Sequence, residues 1–425
     1  MIEFLNKNAL RFFFAILLLS FIIPPFNLSL ILLILFLTFN IFKNFYTNTS
    51  ICNKKVLLDT PIFYFLIYFL LLLLSLAYTD NLQYGYKLLI KNMLFVLIPI
   101  ILSSMQVKLK KEELLFVLRF YVRGIVLIFF VLLFIAIAKN AQEGYTLSTI
   151  IDSLLNNQYS EGSYKYLNYW YFTYDKFCEP LQIQPIYLGL YANIAIVFLL
   201  SLKYYNVKFK YYKFSIISVI TFLILISSRW QLLITLFLLV LYLFFFSKMR
   251  ISKKIILSMF SVVAILVISY LNPVSWKRIN EVFENNPDFT KNHFGGTSLR
   301  IIKWNNAIEQ ISKEPLLGYG IGDAKDILLE AYKKNEFYIG YYNKYNAHNQ
   351  FLDTTLQIGL LGLIILCSIL FYSFYHAVRK NNTILVFLST LFFFSFITES
   401  ILNRQWGLVS FVFFITFFSQ NEFRS

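Results

Sequence analysis

Leu114–Ala138 reads LLFVLRFYVRGIVLIFFVLLFIAIA, a run whose only charges are Arg119 and Arg123. A helix rises about 1.5 Å per residue, so this stretch is long enough to cross a hydrocarbon layer of about 30 Å. Just before it stands VKLKK (107–111), a basic connection of the kind that collects at the cytoplasmic ends of spanning helices. The same pairing of apolar run and basic connection recurs along the whole chain.

Composition agrees with that reading. Of 425 residues, 58% are hydrophobic and only 14% charged, against about a quarter charged in soluble domains. Mean hydropathy is +0.65. The expected fold class is therefore an all-α polytopic membrane protein, with about twelve spanning helices. They are read at 10–24, 27–42, 60–78, 88–105, 114–138, 184–202, 213–228, 230–247, 254–271, 351–375, 383–398 and 406–419. The net charge of +16 would suggest nucleic acid on a soluble protein. Here the positive-inside rule accounts for it, and no nucleic-acid partner is expected. FIIPPF (21–26) lacks a small-residue cleavage site, so no cleaved signal peptide is expected.

Charge also orients the helices. Basic connections at 43–55, 107–111, 203–213, 247–254 and 378–380 all fall on one side if both termini are cytoplasmic. Three regions follow: helices one to nine over 1–271 with an outer loop at 139–183, a periplasmic loop domain at 272–350, and three helices over 351–425. Cys52, Cys178 and Cys367 then fall in a cytoplasmic loop, an outer loop and a membrane helix, which predicts no structural disulfide.

Inside the loop domain, TSLRIIKWNNAIEQISKEP (297–315) predicts a helix, with Ile301, Trp304, Ile308 and Ile311 at apolar spacing and Pro315 past its end. GYGIG (318–322) predicts a tight turn, since it lacks the spacing of a dinucleotide fingerprint. Asp323 is placed to cap the helix that follows. Gly359 and Gly362 in IGLLGL fit close helix packing in a membrane.

Several charged groups converge on the outer face. Arg229 sits in the turn SSRWQ (227–231), against the positive-inside rule, where a snorkelling contact with lipid phosphate is one explanation. Arg300 and Lys303 lie on the loop helix, where the plain reading is a solvated face. His348 and Asn349 stand where a Tyr- and Asn-rich stretch meets an apolar run, and Asn349 is the better cap. Glu399 and Arg404 share a short outer connection, where a structural ion pair is the plain reading. Together they suit an anionic, membrane-embedded substrate: arginine binds phosphate bidentately, and histidine transfers protons near neutral pH. No HExxH, DxD or paired Cys/His spacing is present, so no metal site and no cofactor is expected.

These stretches resemble the O-antigen ligase and polymerase superfamily of bacterial surface-glycan enzymes. The likeness is carried by SSRWQ (227–231), LRIIKWNNAIEQISKEPLLGYGIG (299–322), HNQFLDTTLQIGLLGL (348–363) and SLAYTDN (75–81). It implies a glycosyltransferase membrane fold of the C type in the inner membrane. It also implies an inverting, metal-independent transfer of a glycan from undecaprenyl diphosphate at the periplasmic face. In ligases the acceptor is the lipid A-core oligosaccharide of lipopolysaccharide. In polymerases it is a second carrier-linked repeat, and the residues leave both open, with ligase the reading preferred. By the resemblance, Arg229 and Arg300 bind the diphosphate and His348 is catalytic, with Asn349, Lys303, Glu399 and Arg404 as candidate support. A transporter for the carrier-linked glycan is the rival from another class. It would call for inverted repeats and midplane polar groups, and no repeat is evident.

Overall fold

The computed structural model describes residues 7–23, 61–104, 109–146, 170–271 and 297–421, with positions 31, 32, 35, 38 and 148. The expected helix at 27–42, the Tyr-rich part of the loop at 139–183, residues 272–296 and Cys52 fall largely or wholly outside them. Among the described residues the regular elements are helices, with no strand.

In chain order these are α1 (Lys7–Ser20), α2 (Ile62–Leu74), α3 (Leu82–Asn92), α4 (Leu94–Ser104) and α5 (Lys111–Gln142). Then come α6 (Tyr174–Cys178), α7 (Pro185–Tyr204), α8 (Tyr212–Ile226), α9 (Arg229–Leu241) and α10 (Ile251–Leu271). The loop region forms α11 (Thr297–Ile311), α12 (Ala324–Lys334) and α13 (Tyr338–Tyr342). The last three are α14 (Gln350–Arg379), α15 (Thr383–Thr398) and α16 (Gln405–Gln420). Among the described residues five segments are long and apolar enough to span a bilayer: Leu82–Ser103, Lys111–Gln142, Pro185–Tyr204, Arg229–Phe246 and Gln350–Arg379. Five shorter apolar helices accompany them, α15 and α16 included. This is a polytopic membrane protein.

The chain folds as two compact units, one of Glu3–Ser29 with Lys110–Phe283, the other of Leu30–Leu109 with Glu284–Ser425. In the first, α7 is enclosed by its neighbours, with nearly every residue from Pro185 to Leu202 buried. Pro185 opens it at the position where a missing N–H costs nothing. The outer side chains of α5 and α10 are large and apolar, among them Leu127, Phe134, Ile256 and Phe260, as lipid contact requires.

In the second unit three of the quoted stretches interlock. α14 is broken at Ile358–Gly359, where Gly359 has φ +63° and ψ −164°. The break frees two carbonyls and an N–H that the Pro315–Gly320 turn satisfies. Tyr319 N–H donates to Leu356 O at 2.8 Å, Gly320 N–H to Gln357 O at 3.0 Å, and Leu360 N–H to Pro315 O at 2.9 Å. So Gly359 serves close approach to a turn and not to another helix, as IGLLGL had suggested. The SLAYTDN stretch docks on the same turn. Ile321 N–H donates to Ser75 Oγ at 3.2 Å, and the Asp323 carboxylate accepts Asp80 N–H and Asn81 N–H at 2.7 and 2.8 Å. Asp323 makes no side-chain bond to cap its own helix, contrary to expectation.

The face of α11 also departs from its apolar spacing. Ile301 and Ile308 are exposed, whereas Lys303, Asn306, Ala307 and Gln310 are buried. The polar face turns inward because partners wait there: Asn335 Nδ2 donates to Asn306 Oδ1 at 2.9 Å, and the Lys303 ammonium lies over the Tyr345 ring. A small apolar core of Ala307, Ala324, Leu328, Tyr332, Phe337, Ala347 and Leu356 joins α11 and α12 to the start of α14.

Candidate functional site

His348 precedes α14 in a left-handed conformation, φ +49°, uncommon for a residue with a β-carbon. Its N–H donates to Asn346 Oδ1 at 3.1 Å. Asn349 then caps α14, its Oδ1 accepting from Phe351 N and Leu352 N, as the sequence suggested. The turn is stapled to the connection between α15 and α16. Asn349 N–H donates to Ser400 Oγ, Leu402 N–H to Gln350 Oε1, and Asn403 Nδ2 to Asp353 Oδ2, at 3.2, 2.8 and 2.8 Å. Asp353 Oδ1 accepts from Ala347 N at 3.2 Å, which binds the approach to His348 to the helix it precedes.

This stapling sets Glu399 against the imidazole. His348 Nδ1 lies 2.9 Å from Glu399 Oε2. Glu399 is buried, while His348 keeps 26% of its side chain exposed. Burial works to raise the Glu399 carboxyl. Attraction to His348 and the hydrogen bond to it, with Arg300 and Lys303 beyond, outweigh burial and hold it below its ordinary value. Glu399 is therefore a carboxylate near neutral pH and accepts from Nδ1–H. A neutral imidazole bonded this way carries its lone pair on Nε2, the geometry of a general base.

Two cations complete the group. Arg300 is half-buried on α11. Lys303 is 5% exposed, and its Nζ stands 3.9 Å from the centre of the Tyr345 ring, which itself meets the His348 ring edge to face. The solvated face expected for this pair is absent at Lys303. Burial first, then repulsion by Arg300, pushes the Lys303 ammonium down to about 7, while Glu399 opposes the shift. Glu399 and Arg404 do not form the expected ion pair. Glu399 is taken by His348, and Arg404 is exposed.

Sequence comparison bears on the same residues. The family model described as O-antigen ligase matches residues 187–367, the stretch that carries Arg229, Arg300, Lys303 and His348. Over this stretch the chain carries an O-antigen ligase family domain. An uncharacterized protein of Haemophilus influenzae is 24% identical over 144 residues, covering 33% of this chain and 36% of that protein. The chain thus spans about a third of that relative's length in the alignment.

Arg229 belongs to the other unit. It opens α9 after a two-residue turn, with Ser227 at φ +52° closing α8. Its helix is anchored by a buried network: Asn193 Nδ2 donates to Gln231 Oε1 at 2.8 Å and Thr235 Oγ1 to Asn193 Oδ1 at 2.7 Å. What the motifs did not reveal was the partner of His348. Glu399 lies beyond the matched stretch, and the sequence paired it with Arg404 in the short outer connection and not with His348.

Lys303→Met is expected to raise the thermal midpoint of the purified protein most below pH 7. The folded value of about 7 lies below the ordinary 10.5, so between them the folded state binds fewer protons than the unfolded. Wild-type stability then climbs with pH through that window, and the advantage of methionine shrinks. Midpoints of both proteins from pH 6 to 10 check this. A constant difference would show that the Lys303 charge is not confined.

Proposed function

We propose that this protein transfers a glycan from undecaprenyl diphosphate to a lipid A-core oligosaccharide, as a ligase of the inner membrane acting at its periplasmic face, with both termini cytoplasmic. The observation that carries the reading is the His348–Glu399 contact at 2.9 Å beside Arg300 and Lys303. A base and fixed positive charge are what displacement of a diphosphate needs.

In this mechanism an acceptor hydroxyl attacks the anomeric carbon from the face opposite the diphosphate. The new oxygen–carbon bond forms as the bond from that carbon to the phosphate oxygen breaks. The electron pair leaves with the diphosphate, and the hydroxyl proton passes to His348 Nε2. Configuration inverts. Arg300 holds the diphosphate and offsets its growing charge. The part of Arg229 in holding it rests on the family resemblance. The family description supports a ligase or a polymerase, and the ligase is the reading adopted.

Deleting the gene and displaying surface lipopolysaccharide beside the carrier-linked glycan pool tests the reading. A core without glycan, with polymer accumulating on the carrier, is expected. A core bearing a single repeat would make the protein a polymerase, and an unchanged glycan profile would remove the transfer reading. Complementation with Arg300→Lys should restore little transfer, because charge stays but the bidentate fork is lost. Full restoration would take Arg300 out of the clamp.

A further inference from the structure

A cavity of about 240 Å³ is walled in part by Asn346, Asp353 and Asn403, members of the turn and connection that hold His348 and Glu399. Four cations also line it: Lys91 of α3, Lys325 of α12, Lys344 after α13, and Arg404 before α16. Among the described residues none of the four makes an ion pair. Lys91 Nζ donates to Asn403 O at 3.1 Å, and Lys325 lies 5.9 Å from the centre of the Tyr84 ring, another wall residue. Asp353, the carboxylate in the wall, has both oxygens engaged, by Ala347 N and Asn403 Nδ2. The neighbouring Asp326 accepts from Asn81 Nδ2 at 3.1 Å.

Four positive groups facing one carboxylate repel one another, and an entering anion offsets that repulsion. Lysine and arginine supply charge-assisted donors to phosphate or carboxylate. Tyr84 offers a ring face, and Asn346, Asn403 and Gln357 offer amides suited to sugar hydroxyls. Drug-sized ligands fill about 300–1,000 Å³, so this smaller space suits one sugar ring. Lys344 and Arg404 are exposed, so the cavity is reached from water.

We propose that this cavity binds an anionic sugar of the acceptor glycan, a hexose bearing phosphate or carboxylate. Its assignment to the acceptor rests on the transfer reading above. The sugar ring would lie against Asn346, whose side chain holds the His348 amide, and so be anchored beside the base.

The test uses the full chain purified in detergent, titrated calorimetrically with glucose 6-phosphate, glucuronate, glucose and farnesyl diphosphate. Wild type should bind the two anionic sugars and not glucose. Lys325→Gln with Lys344→Gln should weaken anionic-sugar binding by about tenfold or more, the scale of one lost charge-assisted hydrogen bond. Farnesyl diphosphate binding should be unchanged in that variant, and His348→Ala should keep sugar binding. Equal affinity in variant and wild type overturns the proposal, as does glucose binding as well as its phosphate. Loss of farnesyl diphosphate in place of the sugars would give the cavity to the donor and overturn the acceptor assignment. The titration needs no turnover. If the gene deletion leaves surface glycan unchanged while the titration behaves as expected, the anionic-sugar site stands and the transfer reading falls.

Discussion

His348→Ala should lower glycan transfer by about 10²–10⁴-fold, the range over which a positioned general base acts. Glu399→Gln should be nearly as severe. The Gln amide can donate to Nδ1, which moves the imidazole proton to Nε2 and leaves no lone pair for the acceptor hydroxyl. Because the two act as one unit, the double variant should fall little further than either alone. Transfer in membranes, with carrier-linked donor and purified acceptor, measures all three. Near-normal transfer by His348→Ala removes it from the base role, and multiplicative losses would separate the pair.

The same pair predicts an acid limit to stability. The folded-state value of Glu399 lies below its ordinary one, so its stabilising contribution is present above the unfolded value and is lost as pH falls through the folded one. The difference in thermal midpoint between wild type and Glu399→Gln should therefore be largest near neutral pH and shrink in acid, below about pH 4.

Gly359→Ala should destabilise the protein by about 4 kcal/mol or more, from a Gly-only backbone region and an overpacked contact together. A β-carbon there would lie 2.0 Å from Leu316 O and 2.6 Å from Leu317 N, both backbone atoms that cannot swing aside. Such a loss is a large share of a typical stability of about 5–15 kcal/mol. Membrane yield and thermal midpoint should both collapse. Gly144→Ala is the control. Gly144 also has positive φ, at +81°, but a β-carbon there meets nothing within 4 Å. It should cost only about 1 kcal/mol of backbone strain. Equal behaviour of the two variants would show that the α14 break is not held by the turn against it.

The membrane character and the ends of most helices were legible in the sequence. Apolar length and basic connections report on solvent, and a helix must satisfy its own backbone in lipid whatever its neighbours are. The run at 383–398 became α15 without change, and Asn349 caps α14 because its short amide reaches the first free N–H groups. The catalytic candidate His348 and the cation Arg300 were legible as residue types in motifs. The buried face of α11 was not: apolar spacing assumes an apolar interior, whereas this helix packs its amides and Lys303 inward.

By itself the sequence determined a many-helix membrane protein, with histidine, arginine and glycine at motif positions in its second half. Those properties follow from hydropathy, charge and local backbone preference, which act over a few residues. Only the tertiary structure decided that Glu399, fifty-one residues beyond His348, is its partner, and that Arg404 faces a cavity with three lysines. It also decided that the Gly359 break is closed by the Pro315–Gly320 turn. These are contacts between distant segments, chosen by which unsatisfied donors and carbonyls the packed helices bring within hydrogen-bonding reach.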